Sequence, residues 1–280
     1  MTDFRPSRFQ ILPTVVKNLL IINSLMALLQ FVLLKFNIDL ADHLGLHYWR
    51  SPLYKPWQLI THMFMHGSAH DVNLTIMHLF SNMFALWMFG SILENMWGAK
   101  RFLTFYLVCG LGAALLHLGV LGYEFNVFEN AFYNYQQNIG LDKYLLFVEQ
   151  NELERYSQFT QLSSFWQANP GCSNCSSLSV DLIKQYYTQS INQATVGASG
   201  AVFGILFAFG YLFPNTLLYI YFLFPIKAKY VVAAYALFEL FSGIRNSAGD
   251  NIAHFAHLGG MVVAFIILKI WNRNVRNKFY

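Results

Sequence analysis

The sequence GASGAVFGILFAF at residues 197–209 begins a long segment without a charged side chain, and AHLGGMVVA at residues 256–264 lies in another. Small residues recur at every fourth position of both: Gly200, Gly204 and Ala208, then Ala256, Gly260 and Ala264. Small side chains at this spacing let two helices approach closely in a lipid bilayer. The two segments are therefore predicted to be membrane helices that pack on each other, with Gly200, Gly204 and Gly260 at the contact.

The composition of the whole chain also indicates a membrane protein. Of its 280 residues, 56% are hydrophobic and 11% are charged, whereas soluble proteins average about 25% charged. A helix needs about 20 mostly apolar residues to cross a bilayer. Six segments are predicted to cross: 19–34, 77–93, 102–121, 196–213, 230–244 and 251–268. This composition disfavours a disordered or nucleic-acid-binding protein, and three cysteines exclude a disulfide-built scaffold.

The distribution of basic residues predicts which side of the membrane each loop faces. Six spans put both termini on one side, and that side carries eleven of the 18 lysines and arginines against two acids. Because lysine and arginine concentrate in cytoplasmic loops, both termini are predicted to be cytoplasmic. Residues 214–229, between the fourth and fifth spans, are predicted to form an irregular apolar return on the same side.

A polar insert at residues 122–194 is predicted to lie outside the cell, between the third and fourth spans. The whole chain, 1–280, is interpreted as one all-α membrane domain that carries this insert. Within the insert, the residues from Asp142 to Phe165 have apolar side chains at helical spacing and are predicted to be helical. Cys172 and Cys175 favour a local disulfide, because the insert offers few further ligands for a zinc site.

Polar side chains inside the predicted spans are candidates for function, because such groups cost several kcal/mol unless they meet a partner or water. They are His78, Asn82, His117, Ser199, Glu239, His254 and His257. Parallel packing of the two small-residue segments puts Ser199 near the depth of His257, and imidazole is the usual base for a serine nucleophile. His78 and Asn82 are four residues apart, so both lie on one helix face and offer hydrogen-bond donors.

Other interpretations of these residues remain open at this point. Ser199 could be incidental to a helix-packing site, and His78 and Asn82 could satisfy each other within the bundle. His254, one turn before His257, is a second candidate base. Glu239 is expected to pair within the bundle or to line water, and no chemistry is assigned to it.

Together these residues resemble the rhomboid intramembrane serine proteases. The resemblance rests on motifs in the family's order: His78-x-x-x-Asn82, Gly90-x-x-x-Glu94-x-x-x-Gly98, Gly197-Ala198-Ser199-Gly200 and Ala256-His257-Leu258-Gly259-Gly260. It covers about residues 50–121 and 194–268. It implies that Ser199 is the nucleophile and His257 the base of a dyad without an acid. It also implies that His78 and Asn82 assist the oxyanion and that Phe203 packs on the catalytic imidazole.

The resemblance implies a six-helix bundle that cleaves transmembrane segments of other proteins within the lipid bilayer. It implies no cofactor, no metal and no nucleic-acid partner, and it leaves the oligomeric state open. The expected location is the bacterial plasma (inner) membrane. Three features depart from the family pattern: the length of the insert, the second histidine His254 one turn before His257, and Trp57-Gln58 where a tryptophan-arginine pair is common.

Two other functional classes compete with this interpretation. His62, His66 and His70 are spaced by four, as in a metal site, although Gly67 interrupts a helix there and no H-E-x-x-H motif is present. An inactive relative that binds membrane helices as a scaffold is the alternative outside enzymes, and a channel or transporter is less favoured. An intramembrane aspartyl protease is excluded, because none of the predicted spans contains an aspartate.

Overall fold

The computed structural model describes residues 9–67, 71–220, 223–245 and 253–276, and most of these are helical. The helices are α1 (Thr14–Leu34), α2 (Leu40–Leu44), α3 (Gln58–Thr61), α4 (Val72–Ala85), α5 (Ser91–Trp97), α6 (Ala99–Gln137), α7 (Leu141–Gln150), α8 (Ser157–Ala168), α9 (Cys175–Ile191), α10 (Ser199–Leu212), α11 (Ala228–Arg245) and α12 (His254–Arg276). A π-helical turn, Leu86–Gly90, joins α4 to α5, and 3₁₀ turns occur at His62–Phe64 and Leu153–Arg155. The strands are β1 (Leu217–Ile220) and β2 (Phe224–Lys227).

Four helical stretches among the described residues are long and apolar enough to cross a membrane. They are Thr14–Leu34, Val72–Trp97, Ala99–Gln137 and His254–Asn272. Helix α10 is apolar but has only 14 residues, which span about 21 Å against a hydrocarbon core of about 30 Å. Helix α11 has 18 residues and carries Lys229, Glu239 and Arg245. A mostly helical chain with four candidate membrane spans among the described residues is therefore confirmed, whereas the count of six spans stays a prediction.

Helix α6 extends well beyond the predicted end of the third span at residue 121. It has 39 residues, a length of about 58 Å at 1.5 Å per residue. The chain becomes more polar after Leu121, but apolar residues at helical spacing continue, and Phe128, Phe132 and Tyr135 pack into a core with later helices. The hydropathy therefore marks the end of the apolar stretch and not the end of the helix.

Of two further predictions of local structure, one is wrong and one is confirmed. The return between α10 and α11 is not irregular, because β1 and β2 pair in antiparallel fashion, with Leu217 opposite Lys227 and Tyr219 opposite Pro225. The prediction that Asp142 to Phe165 is helical is confirmed, and the stretch forms two helices, α7 and α8. The backbone turns between them at Glu152, which has a positive φ of 51°, and a new helix begins after that turn.

The chain divides into two compact units. The first unit comprises Met1–Leu46, Lys55–His117 and Ala194–Tyr280, and the second comprises His47–Tyr54 and Leu118–Gln193. The second unit has its own buried core of nine residues: Tyr135, Tyr144, Phe147, Val148, Leu153, Phe159, Trp166, Cys175 and Ile183. A disulfide joins Cys172 to Cys175 at the start of α9. One membrane domain with an insert bounded at 122 and 194 stays a prediction.

In the first unit, α10 and α12 are in backbone contact. A Cβ atom on Gly260 would lie 1.8 Å from the carbonyl oxygen of Gly200, and one on Gly204 would lie 3.1 Å from the carbonyl oxygen of Gly260. Helix α6 also packs against Gly200, because a Cβ atom on Gly200 would lie 2.5 Å from the Cβ atom of Ala113. Any side chain at these positions would push the helices apart, so the small-residue spacing sets the separation of α10 and α12.

The buried acid Glu94 of α5 holds the start of α1. Its two carboxylate oxygens accept hydrogen bonds from the backbone N–H groups of Val15 and Val16, at 2.9 and 2.8 Å. The first N–H groups of a helix have no acceptor within the helix, and a negative charge there is favourable. Glu94 therefore stabilises the packing of α1 on α5.

We predict that Gly260→Ala lowers the free energy of unfolding of the detergent-solubilised protein by about 1–3 kcal/mol, and with it the unfolding temperature, because the added methyl group meets a rigid carbonyl group. The matched control is Gly119→Ala in α6, where a Cβ would meet nothing within 4 Å. This control should be neutral or stabilising by about 0.4–1 kcal/mol. Equal unfolding temperatures for the two variants would contradict the packing argument.

Candidate active site

Ser199 is the first residue of α10, and backbone hydrogen bonds hold the loop that precedes it. The loop pairs with the segment that follows α2, because Leu46 and Thr195 exchange two backbone hydrogen bonds of 2.8 Å. The N–H of Gly197 donates to the carbonyl oxygen of His62 at 2.9 Å. The side chain of Ser199 is half-buried, beside backbone N–H groups that have no acceptor within the helix.

Gly197 occupies a position that only glycine fits. Its φ is +137°, which side chains rarely adopt. A Cβ atom there would lie 3.0 Å from Cε1 of His78 and 3.3 Å from Oγ of Ser199. The absence of a side chain at residue 197 therefore lets the imidazole of His78 approach the serine hydroxyl.

Ser199 and His257 are hydrogen-bonded. The Nε2 atom of His257, in the first turn of α12, lies 2.8 Å from Oγ of Ser199. The Nδ1 atom of the same ring lies 2.9 Å from a carboxylate oxygen of Glu239, which can only accept. Nδ1 therefore carries the proton in the neutral ring and Nε2 accepts from the serine hydroxyl. A general base requires this tautomer.

Phe203 fixes the plane of the His257 ring. It lies one turn after Ser199 on α10, and its ring stacks on the imidazole with a centroid separation of 4.2 Å and an interplanar angle of 6°. Because α10 carries both Ser199 and Phe203, one helix positions the hydroxyl and the aromatic surface. The stacked phenyl ring therefore restricts tilting of the imidazole out of this plane.

His78 of α4 lies in the same region, and Asn82 follows it one turn later on the same helix. The ring of His78 is beside Gly197, as described above, and it contacts the ring of His66 at a centroid distance of 5.3 Å. Asn82 is buried, and its Nδ2 atom has no hydrogen-bond partner among the described residues. His78 therefore does not accept a hydrogen bond from this amide nitrogen, and Nδ2 of Asn82 keeps two unused donors.

Glu239 lies next to His257 in the site, although the sequence alone assigns no chemistry to it. One of its oxygens, Oε2, accepts hydrogen bonds from Nδ1 of His254 at 2.6 Å and from Nδ1 of His257 at 2.9 Å. All three residues are buried, with 4%, 6% and 8% of the surface of Glu239, His254 and His257 exposed. In the sequence, Glu239 stands out as an acid within a predicted span. Such an acid is expected to have a partner, but the sequence does not identify that partner.

His254, the second candidate base, contacts the carboxylate through its Nδ1 atom, whereas it is His257 that reaches the serine through Nε2. His117 of α6 behaves as a core histidine, because its Nε2 lies 2.8 Å from Oγ1 of Thr195. Cys109 is a buried free cysteine that packs against Gly204. The hydrogen-bonding pattern therefore favours His257 as the base.

Ligand atoms suitable for a metal ion occur in the same cluster. One atom each from Glu239, His254 and His257 lie within 4.8 Å of one another. The set suggested by sequence spacing includes His70, which lies outside the described residues. His62 of that set donates from Nδ1 to the carbonyl oxygen of Gln58 at 2.8 Å, and burial lowers its pKa to about 4, so its imidazole is neutral near pH 7.

Comparison with known proteins identifies the family. The family model of the Rhomboid domain matches residues 54–127 and 171–273, which together are more than half of the chain. The matched stretches include Ser199, His257, Glu239, His78 and Asn82. No curated protein matches the chain significantly. The resemblance seen in the sequence motifs is thus confirmed, and the protein belongs to the rhomboid family of intramembrane serine proteases.

Proposed function

We propose that this protein is an intramembrane serine endopeptidase in which Ser199 is the nucleophile and His257 is the general base. The observation that carries the proposal is the 2.8 Å contact between Oγ of Ser199 and Nε2 of His257, in a tautomer that leaves Nε2 free to accept the proton. Phe203, stacked on the ring, keeps the imidazole in a plane that contains this contact. No cofactor or metal enters this mechanism.

The reaction follows the usual two stages of acyl transfer. Oγ of Ser199 bonds to the scissile carbonyl carbon while its proton moves to Nε2 of His257. The tetrahedral intermediate collapses, the C–N bond breaks, and the imidazolium gives its proton to the leaving amine. A water molecule, deprotonated by the same imidazole, then attacks the carbonyl carbon of the acyl-enzyme. The second tetrahedral intermediate collapses, the bond between that carbon and Oγ breaks, and the imidazolium returns the proton to Oγ, which releases the carboxylic acid product and restores Ser199.

Three groups are suited to stabilise the oxyanion of each tetrahedral intermediate. They are the backbone N–H of Ser199 at the start of α10, the imidazole of His78 beside Gly197, and the amide of Asn82. Pre-placed donors act strongly in a site of low dielectric, because they need no reorganisation when the charge develops. The unpartnered Nδ2 atom of Asn82 supports this role, since a buried donor without an acceptor is costly.

The substrates are proposed to be transmembrane segments of other proteins, reached within the bilayer. A helical peptide bond is hydrogen-bonded and shielded, so the segment must unwind locally before its carbonyl meets Ser199. The bias of basic residues supports cytoplasmic termini, and with that orientation the site is proposed to lie near the outer face of the bilayer. A bacterial plasma membrane, six spans and a single membrane domain with an extracytoplasmic insert belong to the same proposal.

We predict that Ser199→Ala and His257→Ala each abolish cleavage of a fluorescent single-span substrate in proteoliposomes. Both variants should still insert and fold, because neither change adds volume. The matched control is Ser177→Ala, an exposed serine in α9, which should cleave at the wild-type rate. If Ser199→Ala cleaves the substrate as fast as the wild type, the mechanism is refuted. If the wild-type protein neither cleaves the substrate nor reacts with a fluorophosphonate, the protein is an inactive scaffold.

We also predict that Asn82→Ala lowers kcat by about 10²–10³-fold while KM changes little, because losing one oxyanion donor costs about 2.7–4 kcal/mol of transition-state stabilisation. Asn73→Ala, at an exposed position in the first turn of the same helix, is the control and should leave kcat unchanged. A loss in Asn82→Ala that appears only in KM would assign Asn82 to substrate binding instead.

A further inference from the structure

We propose that Glu239 is a positioning residue for the reaction, so that the site works as a Ser199–His257–Glu239 triad and not as a dyad. This inference rests on the proposed function. Glu239 is placed by α11, whereas the serine and the base are placed by α10 and α12. The three helices contribute one member each.

The geometry of the carboxylate matches what a third member of a triad requires. Its Oε2 atom is 2.9 Å from Nδ1 of His257, on the side of the ring opposite to Ser199. A carboxylate at this point holds the proton on Nδ1 and leaves Nε2 as the acceptor. Phe203 fixes the plane of the ring, and Glu239 selects its tautomer and its rotation within that plane.

The same contact stabilises the charge that appears during the reaction. When the serine proton reaches Nε2, His257 becomes an imidazolium, and its partner at Nδ1 is an anion that is 4% exposed. A buried ion pair that already has its hydrogen bond needs no rearrangement when this charge forms. The carboxylate therefore lowers the energy of the charged intermediate more than that of the resting site.

His254 completes the arrangement by holding the carboxylate. Its Nδ1 atom donates to the same oxygen at 2.6 Å, so Oε2 of Glu239 has two N–H donors. A buried carboxylate without such donors is costly. His254 therefore orients Glu239, which in turn orients His257.

The same three side chains could instead ligate a metal ion, since their ligand atoms lie within 4.8 Å of one another. We favour hydrogen bonding, because the carboxylate oxygen is within hydrogen-bonding distance of both rings. The two arrangements differ in a direct test. A positioning carboxylate needs no metal, so wild-type cleavage should be unchanged by 1,10-phenanthroline and EDTA. Loss of activity with these chelators, restored by Zn²⁺, would overturn the proposal.

The main experiment compares Glu239→Gln with Glu239→Asp in the purified full-length protein in proteoliposomes. Glu239→Gln keeps the size but removes the charge, and we expect kcat to fall by up to about 10⁴-fold, the loss seen when the triad acid of a soluble serine protease is replaced by its amide. KM should stay within about twofold, because the carboxylate does not touch the substrate. Labelling of Ser199 by a fluorophosphonate should slow in parallel. Glu239→Asp keeps the charge and should recover part of kcat.

The matched control is Glu94→Gln, which removes another buried carboxylate, one that holds α1. It should lower the unfolding temperature but leave kcat per folded molecule unchanged. The triad is overturned if Glu239→Gln cleaves with the wild-type kcat, or if Glu239→Asp is no more active than Glu239→Gln. The proposed function fails in a different way, through a wild-type protein without Ser199-dependent turnover.

A measurement on the wild-type protein keeps the proposal testable even where a variant does not fold. Nitrogen NMR of ¹⁵N-histidine-labelled protein, with His257 assigned by its loss in His257→Ala, reports which ring nitrogen carries the proton. The triad requires a protonated Nδ1 and an unprotonated Nε2 in the neutral ring. A neutral His257 protonated at Nε2 would overturn it.

Discussion

The backbone contact between α10 and α12 is the constraint on which the rest of the site depends. Gly260 approaches the carbonyl oxygen of Gly200 so closely that no side chain fits at residue 260. Ser199 directly precedes one of these glycines, and His257 lies one turn before the other. Because a helix is rigid over one turn, this single contact fixes the separation of hydroxyl and imidazole at hydrogen-bonding distance. The second unit has its own core.

The central pair of the site could be predicted from sequence because small-residue spacing carries information about helix packing. The repeats on the two segments identify both contacting faces, and helical geometry then puts Ser199 and His257 at similar depth. The role of Glu239 could not be predicted in the same way. A single acid on α11 does not define how that helix is rotated or how deep it lies relative to α12, and both are needed to pair it with a particular histidine.

The errors in the predicted elements have a common physical origin. Hydropathy reports where the chain is apolar, whereas a helix continues as long as its residues find packing partners. Helix α6 therefore passes residue 121 without interruption, because Phe128 and Phe132 join the core of the second unit. In the return after α10, Pro214 and Pro225 indicate the end of a helix. They carry no information about whether the segment between them pairs with itself as a hairpin.

Burying a carboxylate in an apolar bundle is unfavourable for folding unless other groups offset the cost, and the two histidines beside Glu239 do so. Its charge is costly to bury, and two imidazole N–H groups offset that cost in the resting site. With both rings neutral, the cluster keeps one negative charge in surroundings of low dielectric, where electrostatic interactions are strong. In the proposed mechanism a positive charge forms on His257 during acylation and again during deacylation. A carboxylate fixed at Nδ1 serves both stages, and an acid that is unfavourable for folding becomes favourable for the transition states.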